Sequence, residues 1–189
     1  MNSRGTLILV VGPSGVGKDS IIAGAAQRFQ RDTNLVFARR MITRTAEAGG
    51  EDHIPISRRE FSAARDSGKL LLHWEAHGLC YGLSRDLELA LASGRGVVAN
   101  VSRSVVAGAR RALAPVAVIA ITASPETVAA RLAQRGREDA AGIRDRLARV
   151  SALSPEEADF VIDNSGSLDA AIEDFTAVLQ RLTGQPASG

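Results

Sequence analysis

Thr6-Leu-Ile-Leu-Val-Val11, followed at once by Gly12-Pro-Ser-Gly-Val-Gly-Lys18, decides the fold. An apolar run of strand type enters a turn of the form G-x-x-x-x-G-K, and residues 17–29 then read as a helix. The glycines Gly12, Gly15 and Gly17 permit backbone angles that a side chain would forbid. The loop Gly12, Pro13, Ser14, Gly15, Val16, Gly17 thereby turns backbone N–H groups toward a phosphate. It does so at a helix N-terminus, where the dipole also favours an anion. Lys18 adds a compact positive charge for the β- and γ-phosphates of a nucleotide.

The usual residue after that lysine is Ser or Thr, whose hydroxyl holds Mg²⁺. Here Asp19 stands in its place and Ser20 follows. Asp19 is either a hard oxygen ligand for Mg²⁺ or a first-turn acid that complements the helix dipole. A bare carboxylate beside a triphosphate would be repelled, which favours a metal between them.

The chain has 189 residues and 45% hydrophobic content, which fits one compact domain with small inserts. It has no apolar stretch of bilayer length. The first strand begins almost at once, an expectation against a signal peptide. One cysteine, Cys80, allows no internal disulfide and is compatible with a reducing, cytoplasmic setting. A net charge of +2 argues for no polyanionic partner, and the arginines are interleaved with acids without a nucleic-acid recognition motif. Of 23 basic side chains only Lys18 and Lys69 are lysine. Genome base composition accounts for such usage on the surface, whereas lysine at position 18 fits a site wanting a point charge.

Strand patterns fall at 6–12, 35–42, 70–75, 79–82, 96–101, 116–122 and 159–163. Helix patterns fall at 17–29, 58–67, 85–94, 103–113, 125–135, 140–150 and 168–182. Val116-Ala-Val-Ile-Ala-Ile121 is continuously apolar, as in a strand covered on both faces. The alternation predicts an α/β fold, a three-layer nucleotide-binding domain with a mostly parallel sheet. Ser57 and Ser124-Pro125 read as helix starts. Residues 39–84 interrupt the alternation as an insert that receives the acceptor, and 136–142 read as a lid.

The order of landmarks resembles the guanylate-kinase-like P-loop kinases over nearly the whole chain. They are the phosphate loop, Thr43-Arg44, Ser57-Arg-Arg-Glu-Phe61, Trp74-Glu75-Ala-His-Gly78, Tyr81-Gly82, Arg131-Leu132, Arg135-Gly136 and Val161-Ile-Asp-Asn164. The departures concern the acceptor. Arg40 replaces a serine before the Thr-Arg segment, and His53 replaces a phosphate-binding tyrosine. Leu83 replaces a small hydroxyl residue, and Asn100 and Ser102 replace two aspartates. A guanine pocket left with unpaired polar edges would lose about 1–3 kcal/mol for each.

This altered set is similar to one branch, the ribose 1,5-bisphosphokinases of phosphonate breakdown. Lys18-Asp-Ser20, Ile42-Thr-Arg44, Gly49-Gly-Glu-Asp-His53, Trp74-Glu-Ala-His-Gly-Leu-Cys-Tyr-Gly82, Val98-Ala-Asn-Val-Ser-Arg103 and Arg135-Gly-Arg-Glu138 carry the likeness. The resemblance implies transfer of the ATP γ-phosphate to ribose 1,5-bisphosphate, giving 5-phosphoribosyl 1-diphosphate (PRPP), with Mg²⁺.

For such an acceptor Arg40, Arg44 and Arg103 are phosphate clamps. Glu75, Asn100 and Ser102 are partners for ribose hydroxyls or the C1 phosphate. The resemblance to guanylate kinases makes Tyr81 an acceptor contact. His53 is either a phosphate donor or a solvated loop histidine. Lys18, Arg131, Arg135 and Arg146 are the expected catalytic cations. Arg137 either helps them or stays solvated, and Arg144 and Arg149 read as a solvated face. The resemblance places Asn164 on the adenine side. Trp74, Phe61 and Cys80 read as insert core, and His77 has no metal-ligand spacing. The competing expectations are a guanylate or other nucleoside-monophosphate kinase, and a non-catalytic guanylate-kinase-like binding module. A small-molecule kinase of this kind is expected as a monomer or homodimer, with neither nucleic acid nor membrane as partner.

Overall fold

The structure is a computed structural model and describes residues 4–45, 52–134 and 158–184. β1 (Leu7–Val11) is buried along its whole length, as five consecutive apolar residues between two layers require. The glycine turn then leads into α1 (Lys18–Arg28). Next come β2 (Leu35–Phe37), β3 (Arg40–Ile42), β4 (His53–Pro55), α2 (Arg58–Asp66), β5 (Leu70–Ala76), β6 (Leu79–Ser84), α3 (Leu87–Ala92) and β7 (Gly96–Asn100). α4 (Val106–Ala112), β8 (Val116–Thr122), α5 (Pro125–Gln134), β9 (Phe160–Asp163) and α6 (Leu168–Thr183) complete the described elements. One sheet has the order β2-β7-β1-β8-β9 and a second the order β4-β3-β6-β5. In the first, β2 runs parallel to β7 and β8 parallel to β9, the α/β arrangement expected from the alternation.

The described residues form two compact units, one drawn from 4–9 and 31–117, the other from 10–30 and 118–184. In the first unit the strand expected over 35–42 is two strands. β2 pairs with β7, and Ala38 still donates to the Val98 carbonyl at 2.8 Å. After Arg39 the chain joins the second sheet, where β3 pairs parallel with β4 and antiparallel with β6. β4 had no counterpart in the sequence patterns. It has three residues, lies at a sheet edge and ends on Pro55, a residue that sheets tolerate only in such places. β5 and β6 close through His77-Gly78, with φ of 50° and 72°, a two-residue turn whose positive angles match strand twist.

α2 begins at Ser57 as expected. The Ser57 hydroxyl accepts from the Glu60 N–H, and the Glu60 carboxylate accepts from the Ser57 N–H at 2.9 Å. Phe61, Leu70 and Cys80 form the insert core with Met41, Ile56 and Ala64 packed on it. The helix expected over 103–113 starts as a 3-10 turn, Arg103–Val105, capped by Ser102, before α4.

In the second unit α6 buries Ala171, Ile172, Phe175, Val178 and Leu179, a stripe at helical spacing. A methyl group on Gly24 of α1 would collide with the Ile172 side chain, so the two helices approach closely there. Ser124 caps α5 by accepting from the Thr127 N–H at 3.2 Å. The helix expected over 140–150 and the lid expected over 136–142 lie outside the described residues. Among the described residues no helix is long and apolar enough to cross a membrane.

Candidate functional site

The second unit carries the phosphate loop. Lys18 Nζ donates to the carbonyl oxygens of Gly12 at 2.7 Å and Pro13 at 2.8 Å, which holds the ammonium at the mouth of the loop. Gly12 has a φ of 150°, and a Cβ there would strike the Ile121 carbonyl oxygen. Gly17 has a φ of 93° and caps α1, whose first intrahelical bond runs from the Ile21 N–H to the Gly17 carbonyl. Val16 is fully buried, and its carbonyl oxygen accepts from Asn164 Nδ2 at 2.7 Å and Arg131 Nη1 at 3.3 Å. Ser14, Asp19 and Ser20 are exposed.

Asn164 is fully buried, and its backbone N–H donates to the Thr122 carbonyl at 2.8 Å. Its carboxamide therefore meets the loop backbone and Arg131, whose Nη2 lies 3.5 Å from Asn164 Oδ1. Ser165 stitches the same corner. Its hydroxyl accepts from the Ser124 N–H at 2.8 Å and donates to the Asp163 carboxylate at 2.6 Å. Small polar residues after a strand are too common for a single sequence to single out Ser165, whereas Ser124 was legible as a helix start.

Asp19 lies in the first turn of α1, with Ser20 beside it. Among the described residues no group of three or more His, Cys, Asp and Glu could hold a metal ion. One carboxylate beside a phosphate loop nevertheless fits Mg²⁺, which usually keeps several waters and takes one or two carboxylates plus substrate phosphates.

The first unit carries all eight of the expected acceptor residues. The Arg40 guanidinium sits 5.4 Å from the Tyr81 ring centroid, and that ring stacks on Trp74 at 5.5 Å with 4° between the planes. Trp74 is buried, as expected of insert core, yet it also supports the Tyr81 ring. His53 is in register with Arg40 across the β3–β4 pair. It is 6% exposed, with Nε2 3.4 Å from the Arg44 carbonyl oxygen. Its alternative as a solvated loop histidine is therefore corrected: β4 pairing draws the ring inside.

Arg39 ties β4 in place, donating to the Asp52 carboxylate at 2.8 Å and the His53 carbonyl at 3.1 Å. The Thr43 hydroxyl accepts from the Cys80 N–H at 2.9 Å, which fixes the chain just before Arg44. Glu75 is exposed on β5, opposite Cys80. Asn100 is buried at the end of β7, Ser102 caps the 3-10 turn and Arg103 is exposed on it. Leu83 is fully buried and offers no polar group to an acceptor. Arg135 and Arg146 lie outside the described residues.

A guanylate kinase family model matches residues 4–182. The chain belongs to the guanylate kinase family. Within that family it is 49% identical over 180 residues to a ribose 1,5-bisphosphate phosphokinase, PhnN, of Ruegeria sp., covering 94% of this chain and 93% of that protein. It is 43% identical over 183 residues to the protein of the same name in Rhizobium etli, covering 96% and 93%. The crystal structure of guanylate kinase from Anaplasma phagocytophilum superposes with a TM-score of 0.70 at 20% identity, covering 95% of this chain and 87% of that one. That likeness supports the guanylate kinase fold alone.

Proposed function

We propose that the chain is an ATP-dependent kinase that phosphorylates α-D-ribose 1,5-bisphosphate to PRPP in phosphonate catabolism. The observation that carries this is the 49% identity, over 94% of the chain, to a protein named for that acceptor. The acceptor side agrees with it. Arg40 supplies a cation on that side, and the apolar side chain of Leu83 is sealed into the core. A nucleoside-monophosphate kinase is the less favoured reading, and a non-catalytic module would not need a complete phosphate loop with its lysine.

The nucleophile is an ionised phosphate oxygen, so no strong general base is required. The barrier lies in bringing two anions into line, and positioning with charge neutralisation lowers it. Lys18 and the loop N–H groups hold the donor phosphates. Arg131, with Arg135 and Arg146, neutralises the transferring group. Arg40, Arg44 and Arg103 clamp the acceptor phosphates as planar forks, with His53 as a further donor. Tyr81 carries Arg40, while Glu75, Asn100 and Ser102 address the hydroxyls and the C1 phosphate. Asp19 would hold Mg²⁺, directly or through water, and the metal when bound would neutralise charge on the donor phosphates, beside which Ser20 lies.

The chain acts as one kinase domain over 1–189, with an acceptor insert at 39–84 and a lid at 136–142. Its partners are small molecules, with no nucleic acid or membrane, and it works in the cytoplasm as a monomer or homodimer. The test is a comparison of kcat/KM for ribose 1,5-bisphosphate and GMP with ATP and Mg²⁺. A preference of at least a hundredfold for the sugar supports the proposal (about 2.7 kcal/mol). Equal use, or preference for GMP, overturns it.

A further inference from the structure

We infer that Asn164 is a positioning residue for the phosphate loop, acting on donor phosphates through the Val16–Gly17 peptide rather than on the nucleobase. Its side chain is fully buried and donates from Nδ2 to the Val16 carbonyl oxygen at 2.7 Å. A trans peptide places its C=O and N–H on opposite sides. Fixing the Val16 carbonyl on Asn164 therefore fixes the Gly17 N–H on the other side of the loop. Such loops present their backbone N–H groups to phosphate, so the direction of this peptide bears on affinity.

Gly17 carries a second mark of the same relationship. A Cβ built on it would lie 2.5 Å from Asn164 Nδ2, so the glycine is required by the carboxamide as well as by its φ of 93°. Arg131 Nη1 shares the Val16 carbonyl at 3.3 Å, a longer bond than that from Asn164. Arg131 can thus leave for a phosphate while Asn164 keeps the peptide in place. Asn164 is itself anchored at its backbone by Thr122, and Ser165 is bonded to Ser124 and Asp163. This brace is independent of which acceptor the kinase uses.

The experiment is calorimetric titration of the full chain and of Asn164→Ala with ATP, GTP and inorganic tripolyphosphate, all with Mg²⁺ and well below the unfolding temperature. The expected result is an equal loss for all three, about tenfold, as one buried hydrogen bond is removed. Asn164→Asp keeps the shape but cannot donate when ionised. It serves if the alanine variant fails to fold, and the same uniform loss is expected. Weakened ATP binding with unchanged tripolyphosphate binding would mean a nucleobase contact and would overturn the inference. Unchanged affinity for all three ligands would overturn it too.

Discussion

Arg40 and Tyr81 form a cation–π pair in the insert, with the guanidinium carbon 5.4 Å from the ring centroid. Trp74 stacks on the same ring, so a buried indole sets the place of an arginine through the tyrosine between them in the chain of contacts. In the proposed enzyme this stack aims a planar phosphate clamp.

Tyr81→Ala is therefore expected to raise KM for the sugar bisphosphate and leave KM for ATP unchanged. A cation–π contact contributes about 0.5–2 kcal/mol, or roughly 2- to 30-fold. Tyr81→Phe keeps the ring and should stay near the parent value. Initial rates with each substrate varied in turn check this, and a loss confined to ATP would contradict it.

Lys18 bonds to the loop carbonyls of Gly12 and Pro13, a geometry that a compact ammonium satisfies and a planar fork does not. Lys18→Ala should lower kcat by roughly 100- to 1,000-fold, the scale of losing one charged group at a transition state. Lys18→Arg should not restore it. Single-turnover rates at saturating ATP are the measurement, and recovery with arginine would refute the geometric reading.

The strand, glycine turn and helix around residues 12–18 were legible because they are written in a local pattern of glycines, lysine and flanking apolar residues. So was the Ser57 helix start, since a capping box spans four consecutive positions. β4 was not, because three residues ending on Pro55 carry no periodicity. The break at Ala38-Arg39 was hidden for a different reason. β2 and β3 are both strands, and only pairing with different sheets separates them. Asn164 is expected from the sequence on the adenine side, and its bond to Val16 joins positions 148 apart, beyond any local signal. Likewise the burial of His53 depends on pairing with β3 rather than on its neighbours in sequence.

Asp19→Ala separates the two roles of that carboxylate. As an Mg²⁺ partner, its loss should raise the Mg²⁺ concentration for half-maximal rate about tenfold, or 1.4 kcal/mol. As a dipole complement only, it would leave the Mg²⁺ dependence untouched, and removing its negative charge would tighten ATP. A magnesium titration at fixed ATP distinguishes them.

Glu60 gives a pH dependence of stability. Its carboxyl is held below the ordinary value by the Ser57 hydroxyl and then by the Ser57 backbone N–H. A lowered folded-state value means the contribution is present above the unfolded carboxylate range and disappears as pH falls through the lowered one. The stability advantage of the parent over Glu60→Gln should therefore shrink on acidification from neutral pH. Melting temperatures of both proteins from pH 7 to about pH 3 test the sign, and an advantage that grows in acid would contradict it.

The most direct measurement is the identity of the product. Phosphorus NMR of the protein with ATP, Mg²⁺, ribose 1,5-bisphosphate and GMP together should show ADP and a new sugar diphosphate at C1, with the 5-phosphate unchanged. GDP as the main product, with the sugar bisphosphate intact, would contradict the proposed function and leave a divergent guanylate kinase.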